Sequence, residues 1–161
     1  MKKVGIVSCY FQHNYGSMLQ AYATQKALDK LNVENETINI EGFNGEIKKA
    51  KIKYFIKASL TSDILLSKLG MAKNVVKKKF SKNEYTELSK VRAKKFDAFA
   101  EKYFTLSQKY NSKKELGDNC EKKYSAVLVG SDQLWLPGNI AADYYTLNFV
   151  PNTVNTIAYS T

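Results

Sequence analysis

Sulfur and imidazole are scarce in this chain of 161 residues, which has two cysteines and one histidine. Cys9 and Cys120 stand in unlike contexts and lack the paired Cys or Cys/His spacing of a zinc or redox centre. The simplest reading is two reduced thiols, with Cys9 partly buried near a strand end; a disulfide or a catalytic nucleophile is the less economical alternative. Long apolar runs are missing too. No uninterrupted stretch approaches the roughly 18 residues of a spanning helix, and Met1-Lys2-Lys3-Val4 leads straight into a strand pattern. The expectation is a protein without a signal peptide, cytoplasmic, at most resting on the inner face of a membrane. Neither a GxGxxG fingerprint nor a GxxxxGK[ST] loop occurs, which argues against the common dinucleotide and triphosphate cradles. RNP, KH and zinc-finger patterns are likewise missing, and no specific nucleic-acid partner is expected. There is no internal repeat and no low-complexity linker.

What is present fits one α/β domain spanning residues 1–161. The length allows a single domain with a real core, and 44% hydrophobic residues fit a globular chain. The net charge of +10 is unevenly placed. Residues 1–45 are neutral, residues 46–123 carry +12, and residues 124–161 have no Lys or Arg and a net charge of −2. The surplus belongs to a Lys-rich middle segment whose lysines alternate with apolar clusters, as on the solvated face of amphipathic helices. An anionic membrane surface or an acidic glycan is the alternative partner for it.

Val4 to Tyr10 reads as a buried parallel strand. Ser17 and Gln20 have capping-box spacing, which starts a helix near Ser17. Met18, Ala21, Tyr22, Gln25, Leu28 and Leu31 form its apolar face, and Asn32 closes it. Thr37 to Ile40 is a second strand, completing a right-handed strand-helix-strand unit. Residues 46–80 predict one or two amphipathic helices, and Leu88 to Tyr103 a further helix of about 15–20 residues. A short helix should begin after a cap at Ser112 and stop near Gly117. Ser125 to Val129 is the clearest buried strand, and Asn155 to Tyr159 another.

Two polar loops follow two of these strands. His13-Asn14-Tyr15-Gly16-Ser17 lies between a strand end and a helix start, where free amides and the helix dipole favour an anion and Gly16 permits close backbone approach. It is either a ligand loop or a well-capped turn. His13 is a candidate acid or base, or simply an exposed loop residue. Gly130-Ser131-Asp132-Gln133 presents a hydroxyl, a carboxylate and an amide suited to a polyhydroxylated ligand. Asp132 is a second candidate base, or a turn cap. Trp135 is read as core rather than a sugar platform, and Asp143-Tyr144-Tyr145 with Phe149-Val150 as packing. Ligands of open α/β sheets bind outside the carboxyl ends of the strands, so the two loops suggest one composite site.

Four segments in order carry a family resemblance. Lys3-Val4-Gly5-Ile6-Val7, then Asn14 to Ala23, then Tyr124 to Trp135, and finally Ile157-Ala158-Tyr159-Ser160 together resemble the amino-terminal half of the polysaccharide pyruvyl transferases. The resemblance implies a Rossmann-like parallel sheet with flanking helices, one half of a GT-B-like two-domain architecture. It implies transfer of a pyruvyl group from phosphoenolpyruvate to a sugar hydroxyl of a cell-surface glycan or lipid-linked acceptor, as in exopolysaccharide or cell-wall biosynthesis. No cofactor or metal is implied; phosphoenolpyruvate is the donor substrate. The family's donor-binding arginines and acid histidine lie mainly in a second domain, and here no Arg follows Arg92 and no His follows His13. Asn14, Tyr15, Gly16, Gln20, Ser131, Asp132 and Gln133 match the first-domain wall of the cleft and are implied to hold substrate. The chain alone, a carboxyl-terminal domain short, is expected to be inactive; a noncatalytic glycan- or nucleotide-binding Rossmann-like module and a basic membrane-surface association protein are the alternatives.

Overall fold

A computed structural model describes residues 2–59, 84–130 and 133–159. It is an α/β fold around one five-stranded, all-parallel sheet. In chain order the elements are β1 (Lys3–Val7), α1 (Tyr15–Lys30), β2 (Asn35–Asn39), α2 (Asn44–Ser59) and α3 (Glu84–Tyr103). There follow β3 (Leu106–Lys109), α4 (Lys113–Lys123), β4 (Tyr124–Gly130), a single 3-10 turn (Gln133–Trp135), α5 (Pro137–Ala141) and β5 (Asn155–Tyr159). The strand order is β3-β2-β1-β4-β5, so β1 is central. Among the described residues no helix is long and apolar enough to cross a membrane.

Apolar side chains pack on both faces of the sheet, as expected for parallel strands. On one face Val7, Ile38, Val127 and Val129 meet Ile47 of α2, Leu116 and Cys120 of α4, and Tyr144 and Tyr145 of the loop before β5. On the other, Met18 and Ala21 of α1 meet Phe96 of α3, with Tyr10 and Phe104. The tyrosines of the 143–150 loop thus pack as expected, Tyr144 being fully buried.

Several local expectations change. Helix α1 begins two residues before Ser17, because Asn14 rather than Ser17 is its cap. Leu31 stands outside the apolar face, 70% exposed after the last turn. Ser112 does cap α4, its Oγ accepting from the Glu115 amide at 3.0 Å, but the helix runs through Gly117 to Lys123. Gly117 serves packing there: a Cβ would lie 2.7 Å from the Phe149 carbonyl oxygen. Strand β3 was hidden in sequence because only one of its four residues is buried. Strand β5 forms where expected, yet all five of its residues are exposed, which makes it an edge rather than a buried strand. Of the expected helical region 46–80, the part beyond residue 59 lies outside the described residues.

One buried charge ties three strands together at the amino end of the sheet. The Glu36 carboxylate of β2, 8% exposed, accepts a hydrogen bond from the Lys3 ammonium and another from the Tyr124 hydroxyl, each at 2.8 Å. Burial, and then the neighbouring Tyr110 hydroxyl and the Glu36 charge, push the Tyr124 phenol strongly up, so it stays a donor. Replacing Glu36 by Ala leaves these donors without their acceptor. The expected loss in urea unfolding is about 1.5–3 kcal/mol, the usual range for buried hydrogen bonds to a charged group. Lys3→Met, at a half-exposed position, should cost less than about 1 kcal/mol; equal losses would contradict this assignment.

Candidate functional site

The strand order reverses at β1: the chain first moves from β1 through β2 to β3, then returns to place β4 on the other side of β1. With Val7 level with Val129, the carboxyl ends of β1 and β4 open side by side. This is the switch point at which doubly wound sheets take their ligands. A crevice of about 520 Å³ lies there, within the ordinary range for small-molecule sites. The segment after β1 contributes Cys9, Gln12, Asn14 and Gly16; the segment after β4 contributes Leu134 and Asn139. Helix α2 closes it from above with Lys51 and Phe55, and the Phe55 ring packs on Gly138 of α5.

Among the described residues, the polar groups lining the crevice are amides, a thiol, the Ser17 hydroxyl and one ammonium group. Asn14 Oδ1 accepts from the Gly16 amide at 2.8 Å and the Ser17 amide at 3.3 Å. Amides expected to cradle an anion at the start of α1 are therefore already satisfied by a side chain, and negative charge in the crevice must look to Lys51. The Lys51 ammonium sits 5.8 Å from the centre of the Tyr145 ring. The Tyr145 hydroxyl lies 3.1 Å from Cys9 Sγ, to which Gln12 Nε2 donates at 3.4 Å. Cys120 lies away in the core, its thiol pushed up to about 11 by burial.

The expected site residues divide between this crevice and its surroundings. Gln20 Nε2 donates to Thr24 Oγ1 at 3.4 Å, and its amide lies directly against Gly130, where a Cβ would push this side-chain end aside. Gln20 and Gly130 thus join the two loops by contact. Ser131 and Asp132 lie outside the described residues, as does the side chain of Gln133. His13 and Tyr15 turn toward α3 instead. His13 Nε2 is 2.9 Å from Asp97 Oδ1, and its ring stacks on Phe96 at 5.7 Å. Arg92 donates to the His13 carbonyl oxygen at 3.1 Å, and Tyr15 packs on Phe96 at 4.8 Å. His13 therefore has a carboxylate partner that the sequence did not reveal. It borders a separate hollow of about 290 Å³ beside β1 and β2, with Asn39, Glu41 and Asp97.

Sequence reasoning also missed Gln12, Lys51 and Asn139 in the crevice. Lys51 is one of 25 Lys and Arg residues, and no local pattern sets it apart. Trp135, expected in the core, is 47% exposed and donates through Nε1 to the Tyr145 carbonyl oxygen at 3.3 Å. Among the described residues no cluster of His, Cys, Asp and Glu is arranged to hold a metal. Comparison of the chain with protein-family models, with curated proteins and with solved structures finds no match.

The loop that supplies Tyr145 is held by Asp143, which takes a left-handed backbone conformation (φ 54°). Partial burial raises its carboxyl, but hydrogen bonds from Thr146 and Asn148 and the Lys113 ammonium outweigh this and hold it below the usual value. A carboxyl lowered in the folded state stabilises above its unfolded pKa of about 3.9, and that contribution disappears as pH falls through the folded value. Asp143→Asn should therefore flatten the acid limb of the stability profile below about pH 4; an unchanged limb in thermal melts would contradict it. Asn14→Ala should cost about 1 kcal/mol through the lost cap, with Asn14→Asp retaining most of it. Urea unfolding of both variants checks this, and equal losses would remove the cap assignment.

Proposed function

We propose that the β1/β4 crevice is one wall of a substrate cleft, in the amino-terminal, Rossmann-like half of a GT-B-like polysaccharide pyruvyl transferase. The observation that supports this most is the lining itself: one ammonium, Lys51, with the amides of Gln12 and Asn139, at the sheet's switch point. Such a set suits a ligand with one anionic group and several hydroxyls, since an ammonium attracts the charge and amides orient hydroxyls. In this reading the carbon of phosphoenolpyruvate that carries the phosphate is attacked by acceptor hydroxyls, the enol carbon takes the proton, and phosphate leaves as the ketal forms. The acid and the donor-binding arginines come from a second domain, and the present residues hold the glycan or lipid-linked acceptor and set the cleft geometry. The basic surface of α2, with five lysines and one glutamate, favours work beside the anionic inner face of a membrane.

A binding module without catalysis is the second reading. It is favoured by the absence of any carboxylate or imidazole from the crevice lining among the described residues.

Residues 1–161 should bind a hexose 1-phosphate at the crevice, and Lys51→Glu should weaken that binding about tenfold, equivalent to about 1.4 kcal/mol. The same chain should not convert phosphoenolpyruvate and a glycan acceptor, because half a two-walled cleft cannot align two substrates. Calorimetric titration and a phosphate-release assay measure the two. Binding indifferent to Lys51→Glu, or turnover at an ordinary enzymatic rate by this chain, would overturn the reading. A longer protein containing both domains that binds yet never transfers would favour the binding module.

A further inference from the structure

A second concave surface, chemically unlike the crevice, runs between α1 and α3. It has a volume of about 480 Å³ and an apolar lining that includes Met18, Leu19, Leu88, Val91, Phe96 and Phe99. Three of these are more than half exposed: Leu19 at 56%, Leu88 at 62% and Val91 at 51%. Such a concentration of exposed apolar side chains on adjacent helices marks a binding surface rather than ordinary scatter. Among the described residues, the charged ones of the lining are Arg92 and Lys95. The Arg92 guanidinium lies over the Tyr15 and Phe96 rings, 5.7 and 5.3 Å from their centres, and so is held at the groove. Among the described residues neither Arg92 nor Lys95 meets a carboxylate within ion-pairing distance.

From this pairing of an apolar trough with two unneutralised cations, we propose that the α1/α3 groove binds an anionic amphiphile, its hydrocarbon chain in the trough and its head group against Arg92 and Lys95. The proposal is independent of the pyruvyl transferase reading. A neutral chain would gain nothing from the two exposed cations, and a free anion would leave the trough wet. An amphiphile answers both, and the concavity favours an inserted chain over contact with a flat bilayer. Burial of the chain supplies most of the affinity, roughly 0.8 kcal/mol for each CH₂ removed from water, while the cations select the sign of the head group.

The probe is octyl phosphate, titrated calorimetrically below its micellar concentration into the 161-residue chain, with octyl glucoside and inorganic phosphate as comparisons. Saturable binding with one site is expected, about tenfold weaker for the uncharged glucoside and undetectable for inorganic phosphate. Val91→Asp and Leu88→Asp, both at exposed positions that leave folding intact, should each weaken octyl phosphate binding at least about tenfold. Lys95→Glu should remove the preference over octyl glucoside while retaining binding of the chain. Equal affinity for octyl phosphate and inorganic phosphate would overturn the proposal, as would binding indifferent to both Asp substitutions. A dimer in sedimentation that Val91→Asp converts to monomer would assign the groove to a second copy of the chain and also overturn it. Melting curves of each variant without ligand confirm that losses are local.

Discussion

The parallel pairing of β1 with β4 is the constraint on which the rest of this structure depends. Because β1 is central and the chain adds β2 and β3 on one side of it before returning to place β4 on the other, the connections leaving β1 and β4 part to opposite sides and leave a crevice between them. The crevice residues that follow the two strands are placed by that split, and Lys51 and Phe55 are added by α2. Cys9, Gln12, Asn14 and Gly16 follow β1, while Leu134 and Asn139 follow β4. The Gln20 amide touches Gly130 across the two walls, and a side chain at position 130 would displace that amide. The Glu36 network does the corresponding work at the other end of the sheet, where Lys3, Glu36 and Tyr124 join β1, β2 and β4 through one buried carboxylate.

Physical chemistry divides the two concave surfaces by type. The crevice has hydrogen-bonding amides and one ammonium beneath a half-exposed aromatic roof, Phe55. The α1/α3 groove is apolar with two cations. Helix α1 borders both, its first turn facing the crevice through Gly16 and Ser17 and the groove through Tyr15 and Leu19. Its start is set by one side chain, Asn14, so a small change at that cap reaches both surfaces. The hollow beside His13 and Asp97 is a third surface, which shares no lining residue with the crevice and shares Met18 and Phe96 with the groove.

Much of the architecture was legible in sequence because it rests on periodic apolar patterns. Strands β1, β2 and β4 and the helices bounded by Asn32 and Ser112 follow from burial at the expected spacing, and β5 from its β-rich composition alone. Strand β3 did not, because it pairs on one side only and buries one residue, so that Leu106–Lys109 carries little apolar signal. The exposure of β5 was equally hidden: its composition suits a buried strand, and only the sheet order makes it an edge. The cap at Asn14 was misassigned to Ser17 since both residue types cap well and Gln20 completed a plausible box; in the structure Gln20 is turned to Thr24 and Gly130. The place of the site was readable from strand ends, but its composition was not. Lys51 reaches the crevice from the following helix and Asp97 reaches His13 from a helix still further along, and such meetings are tertiary facts that no local spacing encodes.

The central claim is that small anionic, hydroxylated ligands occupy the β1/β4 crevice rather than any other hollow. Amide and side-chain chemical-shift mapping of the isotopically labelled chain during titration with a hexose 1-phosphate tests it most directly. The account predicts saturable shifts confined to Gln12, Asn14, Gly16, Ser17, Lys51 and Asn139. Shifts centred instead on His13, Asp97 and Glu41, or no saturable shift at all, would contradict it.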